Sequence, residues 1–195
     1  MEAILDLDFY FFYLINNGLS NGFFDFLLPI LRNKITWIPF YIFLFWFFIS
    51  KFKKIGLYIF LVAVFTVGIA DYMSSSVIKK TVKRERPCNV TYPPYEVIQR
   101  IGCGGYSFTS SHAANHFALS MFLIFVLKNK YKWTKWPLFL WASMISFSQI
   151  YVGVHYPLDV LFGALLGTSI AIFTYKVMRH YFPFIVIEQN SKNLV

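Results

Sequence analysis

Two residues four positions apart carry the first chemical signal in this chain. His155 and Asp159 stand in the stretch Val154-His155-Tyr156-Pro157-Leu158-Asp159, where a long apolar run begins. Positions i and i+4 share one face of a helix, so the carboxylate can reach the imidazole ring. A carboxylate on one ring nitrogen leaves the other as a basic lone pair, usable as a nucleophile or as a metal ligand. Two further stretches bear on that choice. The segment 79–90, KKTVKRERPCNV, gathers Lys79, Lys80, Lys83, Arg84 and Arg86, and Arg100 follows downstream. Cations placed directly after an apolar run act either as lipid-headgroup anchors or as a clamp for an anion. The segment 108–116, FTSSHAANH, opens another apolar run with hydroxyls followed by His112. A helix start of this kind offers hydroxyls, unpaired backbone N–H groups and a positive dipole end, all of which favour an anion.

These groups need elements to hold them, and the composition says which. Of 195 residues, 57% are hydrophobic and 22% aromatic, while only 14% are charged. A soluble domain carries about 25% charged residues. The charges here bunch between long apolar runs, which marks an all-α, polytopic membrane helical bundle. No linker, repeat or low-complexity tract divides it, so residues 1–195 read as one domain. Spans are expected at about 35–50, 56–78, 112–127, 136–152 and 157–178. The apolar runs 4–16 and 22–31 are shorter, with Asn16-Asn17-Gly18 between them. They read as two helices lying against the membrane surface, or alternatively as one bent span. The N-terminus, MEAILDLDFY, lacks the basic start of a signal peptide, so no cleaved segment is expected. With five spans, the three chemical segments fall at one membrane face.

Lys79 with Arg86-Pro87, then Ser110-Ser111-His112, then Ser148 with His155 and Asp159 form an ordered set. This set resembles the motifs of the type-2 phosphatidic-acid phosphatase superfamily, in its membrane-bound, undecaprenyl-pyrophosphatase-like branch. The resemblance implies a metal-independent phosphatase that needs no cofactor. It implies that His155 attacks phosphorus to give a phosphohistidine that water then hydrolyses. Asp159 would hold the ring tautomer, and His112 would protonate the leaving oxygen. Lys79, Arg86, Ser110 and the Ser111 N–H would hold the non-bridging oxygens. One position departs from the pattern: where the superfamily has Arg, this chain has Gln149. Glutamine lacks the charge and the two-pronged geometry of guanidinium, a loss of about 1.5–3 kcal/mol of phosphate binding. Lys83, Arg84 and Arg100 are the cations considered as replacements.

Lys80, Lys83 and Arg84 are expected to contact headgroups, and His116 to pack. Asp71, inside a span, is expected to neutralise Lys79 or to accept from the nearby serines. No paired-ligand spacing suggests a zinc site at His112 or His116. Asn89-Val90-Thr91 matches a glycosylation sequon, a short and unspecific pattern. The net charge of +9 reflects loop lysines and an anionic substrate rather than nucleic acid. Ten basic residues (Lys51, Lys53, Lys54, Lys128, Lys130, Lys132, Lys135, Lys176, Arg179, Lys192) flank one face and eight the other. If the eight serve substrate, the ten become the positive-inside signal, and the site faces away from the cytoplasm of a bacterial inner membrane. A disulfide between Cys88 and Cys103 is then plausible. The expected substrate is a lipid phosphate. Undecaprenyl pyrophosphate comes first, with phosphatidate, phosphatidylglycerol phosphate and lipid A behind it. The rival readings are a phosphatase for soluble esters and a catalytically weak lipid-phosphate binding or transport protein. Oligomeric state is not legible.

Overall fold

The computed structural model describes residues 2–91 and 95–183; Lys192, counted above among the basic residues, lies outside them. The helices are α1 (Glu2–Tyr13), α2 (Gly22–Arg32), α3 (Ile38–Tyr72), α4 (Lys79–Val82), α5 (Ser111–Leu127), α6 (Lys135–Tyr151) and α7 (Pro157–Tyr181). The described residues form no strand. Apolar side chains surround most of these helices, as expected where the outer face meets lipid rather than water. Phe43, Trp46, Phe65, Leu161 and Phe173 are all exposed. The stretch Lys34–Asn89 and the helix Pro157–Tyr181 are long and apolar enough to cross a membrane, and Ser111–Leu127 is apolar but shorter.

Helix α3 doubles back on itself. Its dihedrals leave the helical region at Lys53 (φ 52°, ψ −127°), inside the lysine group 51–54 that separates the first two expected spans. The two arms then run side by side, with the Phe45 and Phe60 ring centroids 5.0 Å apart. Gly56 makes the turn possible: a Cβ there would lie 1.9 Å from the Phe48 carbonyl oxygen. The second arm widens into a π-type turn at Met73–Ile78 and ends in α4, where Lys83 adopts a left-handed conformation. That ending turns the cationic segment back over the bundle.

The tightest seam joins α5 to α7. A Cβ on Gly163 would meet the Ser110 carbonyl oxygen at 2.5 Å, and one on Gly167 would meet the Ala114 oxygen at 2.1 Å. Ala114 and Ala118 present the small side chains that face this glycine pair, and both are fully buried. Small residues four apart let backbones approach where lipid supplies no hydrophobic drive between helices. The consequence is positional, because Ser110 begins α5 and Asp159 lies in the first turn of α7. The Ser110 N–H donates to the Asp159 carbonyl oxygen at 2.9 Å. Further along, Thr66 of α3 hydrogen-bonds Thr174 of α7 at 2.8 Å, which satisfies two buried hydroxyls across the bundle.

The N-terminal runs form two separate helices rather than one bent span, and both pack on the α6–α7 connection. Phe12 of α1 meets the Tyr156 ring edge-on at 5.5 Å, and Leu28 of α2 is buried among Tyr151, Val152 and Val154. Buried Asn16, between them, donates to the Ile98 and Tyr151 carbonyls and accepts from the Ile98 N–H. The helices expected only to rest on the surface thus form one wall of the site.

Gly167→Val should force α7 off α5. We expect a loss of about 3 kcal/mol of stability, read as a lower Tm in detergent, together with loss of any activity that depends on Asp159. The equivalent change at Gly68, whose Cβ position is open, should leave Tm nearly unchanged.

Candidate active site

The His155–Asp159 pair forms, but not on one helix face. Pro157 takes the first position of α7, where its missing N–H costs no hydrogen bond. His155 therefore sits in the turn before the helix, and Asp159 reaches back toward it from the first helical turn. His155 Nδ1 is 3.5 Å from Asp159 Oδ2 and 3.4 Å from Ser107 Oγ. Gly153, at φ 87°, makes the turn into this segment. The Gln149 carbonyl then accepts from the N–H groups of Val154 (3.3 Å) and His155 (3.2 Å). His155 Nε2 makes no hydrogen bond among the described residues.

Asp159 is completely buried and accepts from several donors besides His155. Ser107 Oγ makes a short hydrogen bond to Oδ2, the Tyr156 N–H donates at 2.9 Å, and Arg84 Nη1 donates to Oδ1 at 2.8 Å. Arg84, expected at lipid headgroups, faces inward instead. Its guanidinium bridges Asp159 and the buried Asp8 of α1, with Nη2 at 2.6 Å from Asp8 Oδ2, and stacks 4.0 Å over the Tyr156 ring. Asp8 in turn accepts from the Leu158 N–H at 2.8 Å. Ser107 was not singled out from sequence, because nothing in its neighbours distinguishes it; Asp8 carried one signal, a carboxylate inside an apolar run.

Burial pushes the His155 ring down from the usual histidine value to about 4, and the positive charges of Lys79 and Arg86 act in the same direction. Its contact with Asp159 opposes them. At neutral pH the ring is therefore neutral, with the Nδ1 proton directed at Asp159 and Nε2 a lone pair. That is the state a nucleophile requires.

The cations divide into two kinds. Arg84 and Arg100 are spent on carboxylates, the latter on Asp25 in α2, so neither supplies the charge missing at position 149. Lys83 is exposed, as is Lys80. Lys79, Arg86 and Arg32 have no carboxylate at ion-pair distance among the described residues. Lys79 Nζ donates to the Tyr106 (2.7 Å) and Ser107 (3.1 Å) carbonyls, while Arg86 Nε is buried without a partner. Arg32 donates through Nε and Nη2 to Gln149 Oε1, both at 3.3 Å. The charges of Arg32 and Arg86 both act on His112, and that of Arg86 acts on His155 as well.

Ser110, Ser111 and His112 stand at the head of α5. Ser110 is its N-cap, with Oγ accepting from the Ala113 N–H at 3.4 Å. Ser111 Oγ is tied to Ser74 Oγ at 2.9 Å, and Ser74 to Thr109 Oγ1 at 3.0 Å. The serines therefore bond each other and not Asp71, which accepts from Asn115 Nδ2 at 2.8 Å instead. His116 packs edge-on against Trp141 and bonds its Nδ1 to the His112 carbonyl. The Cys88–Cys103 disulfide is present and closes the cationic loop. Among the described residues no group of three or more His, Cys, Asp or Glu side chains is placed to hold a metal ion.

An open cavity of about 570 Å³ leads away from His112 between α3 and α5. His112, Ser111, Asn115, Asp71 and Lys34 line its polar part; Leu44, Phe48, Phe60, Val64, Leu119 and Leu123 line the rest. A polar mouth on an apolar slot fits an amphipathic ligand with its charged end at the histidines.

The PAP2 superfamily model matches residues 56–182, which include all of the motifs from Lys79 to Asp159. Lipid A 4'-phosphatase of Bacteroides thetaiotaomicron is 31% identical over 171 residues, 86% of this chain and 75% of that protein. Undecaprenyl-diphosphatase of Sulfolobus acidocaldarius is 34% identical over 146 residues, 74% of this chain and 65% of that protein. The crystal structure of a transmembrane PAP2-type phosphatidylglycerolphosphate phosphatase from Bacillus subtilis superposes with a TM-score of 0.70 at 19% identity. It covers 93% of this chain and 89% of that one.

Two outcomes follow from this geometry. The His155 imidazole NMR signals, assigned by their loss in His155→Ala, should stay those of the neutral ring on acidification until about pH 4; a midpoint near 6.5 would contradict the buried, neutral ring. Arg84→Met leaves two buried carboxylates without their cation and should lower both Tm and kcat, the latter about 10²-fold.

Proposed function

The chain belongs to the PAP2 superfamily of lipid phosphatases, and from that premise we propose that it removes a phosphate from a phosphorylated glycolipid of the lipid A type through a phosphohistidine at His155. The observation that carries the mechanism is the neutral, buried His155 with Asp159 on Nδ1, facing cations that have no carboxylate of their own. Nε2 attacks phosphorus as the bond to the leaving sugar oxygen breaks, and His112, which takes up a proton from water as the bound phosphate offsets the neighbouring cations, gives that proton to the leaving oxygen. Water then attacks the phosphohistidine with His112 as base. Phosphate leaves and the neutral imidazole returns. Negative charge grows on the non-bridging oxygens during both steps, where Lys79, Arg86 and the head of α5 stand ready to meet it. Asp159, held by Ser107 and Arg84, fixes the tautomer and needs no proton transfer of its own.

The apolar slot beside His112 supports a lipid over a soluble ester, since a water-soluble substrate gains nothing from it. Among lipids, the similarity to a lipid A 4'-phosphatase spans more of the chain than that to an undecaprenyl-diphosphatase. Undecaprenyl pyrophosphate, placed first from sequence, becomes the second reading. It keeps the support of that second similarity and of a cationic loop that suits a diphosphate. The Cys88–Cys103 bond favours a site on the extracytoplasmic face, where thiols oxidise.

Purified protein in EDTA should release phosphate from a lipid A phosphate faster than from undecaprenyl pyrophosphate, phosphatidate or phosphatidylglycerol phosphate. His155→Ala should lower that rate more than 10³-fold. Faster release from undecaprenyl pyrophosphate would select the second reading, and no release from any lipid would select a binding protein. A membrane-impermeant thiol reagent should label Cys88 or Cys103 in intact cells after reduction; labelling only after lysis would place the site in the cytoplasm.

A further inference from the structure

Arg32 is the cation at this site that the motifs do not account for. We propose that Arg32 supplies, from the end of α2, the guanidinium that grips the transferred phosphoryl group, and that Gln149 is the positioning residue that aims it. The proposal rests on the phosphatase reading above.

Arg32 is half-buried and, among the described residues, donates only to a neutral amide oxygen. Two of the five guanidinium N–H bonds are used on Gln149, which leaves three for another acceptor. Arg86 stands close enough for the two positive charges to repel, and His112 feels both. Like charges gathered in a half-buried space, with no carboxylate at ion-pair distance among the described residues, are stabilised by an anion between them. A phosphoryl group at His155 would be that anion.

Gln149 suits aiming better than binding. It is fully buried on α6, and its side-chain oxygen is occupied by Arg32. Its backbone oxygen holds the N–H groups of Val154 and His155. One residue therefore fixes both the guanidinium and the nucleophile's turn. Helix α2 is also secured near Arg32: Thr36 Oγ1 and Trp37 Nε1 donate to the Ile30 and Leu31 carbonyls at 2.8 and 2.6 Å. These bonds satisfy the helix end and keep Arg32 from swinging out. Position 149 is where the third motif would carry arginine. The charge has moved to a residue 117 positions away in sequence, while its place in the site is kept.

The test is a charge exchange. Arg32→Ala should lower kcat/KM for the lipid substrate about 10²-fold, with Arg32→Lys intermediate because a point charge lacks the fork. The double variant Arg32→Gln with Gln149→Arg should recover at least tenfold over Arg32→Ala, a rescue that a purely structural role would not give. Inorganic phosphate should raise the Tm of wild type and fail to do so in Arg32→Ala. Arg32→Ala within threefold of wild type, or an exchange no better than Arg32→Ala, overturns the inference. If wild type releases no phosphate from any lipid while inorganic phosphate still protects it through Arg32, the phosphatase reading falls and the anion contact stands. Equal protection of wild type and Arg32→Ala overturns the anion contact alone.

Discussion

A buried carboxylate needs compensation, and here that need organises the molecule. Asp159 has no exposure to solvent, and an ionised carboxyl group in such a place is costly unless charge and hydrogen bonds surround it. Arg84 supplies the charge, Ser107 and Tyr156 the hydrogen bonds, and His155 Nδ1 stands 3.5 Å away. Arg84 is in turn divided between Asp159 and Asp8, so α1, the cationic loop and α7 are joined at one guanidinium. The tight glycine seam between α5 and α7 then brings the head of α5 to the same point. The His155 ring stands beside a carboxylate that three separate chain segments hold in place.

The division among the cations follows from the same constraint. Cations that meet carboxylates hold the fold together; those left without one at ion-pair distance rest on neutral groups or, at Arg86 Nε, on none among the described residues. Arg84 and Arg100 belong to the first set, and Lys79, Arg86 and Arg32 to the second. The second set concentrates positive charge beside a neutral imidazole, the arrangement that favours a phosphoryl group over the groups it replaces. The apolar slot running from His112 between α3 and α5 gives a lipid chain an apolar path to the polar head of α5.

Much of this was legible in the sequence, for physical reasons that also explain what was not. The helix runs are long and apolar, and the bend in α3 falls where Lys51, Lys53 and Lys54 interrupt them. Chemistry carried by local motifs, His155 with Asp159 or Ser110-Ser111-His112, announces itself through spacing. Yet the spacing suggested a shared helix face for His155 and Asp159, and Pro157 starts the helix two residues after the histidine. Arg84 read as a headgroup anchor because a cation after an apolar run has two solutions. The partner that decides, Asp8, lies 76 positions away. Arg32 and Ser107 were invisible for the same reason: their roles depend on tertiary neighbours, and neither has a neighbour in sequence that betrays it. Asp71 was expected near Lys79, but the helix face it occupies turns it to Asn115.

In the mechanism we propose, His155 forms a covalent bond to phosphorus while Asp159 holds its ring. Rapid quenching of the purified enzyme with a lipid substrate carrying a labelled phosphate tests it most directly. The expected result is label on the peptide containing His155, stable to base and lost in acid, absent from His155→Ala and much reduced in Asp159→Asn. Rapid phosphate release from the lipid with no trapped label on His155, or label on another residue, would contradict the account.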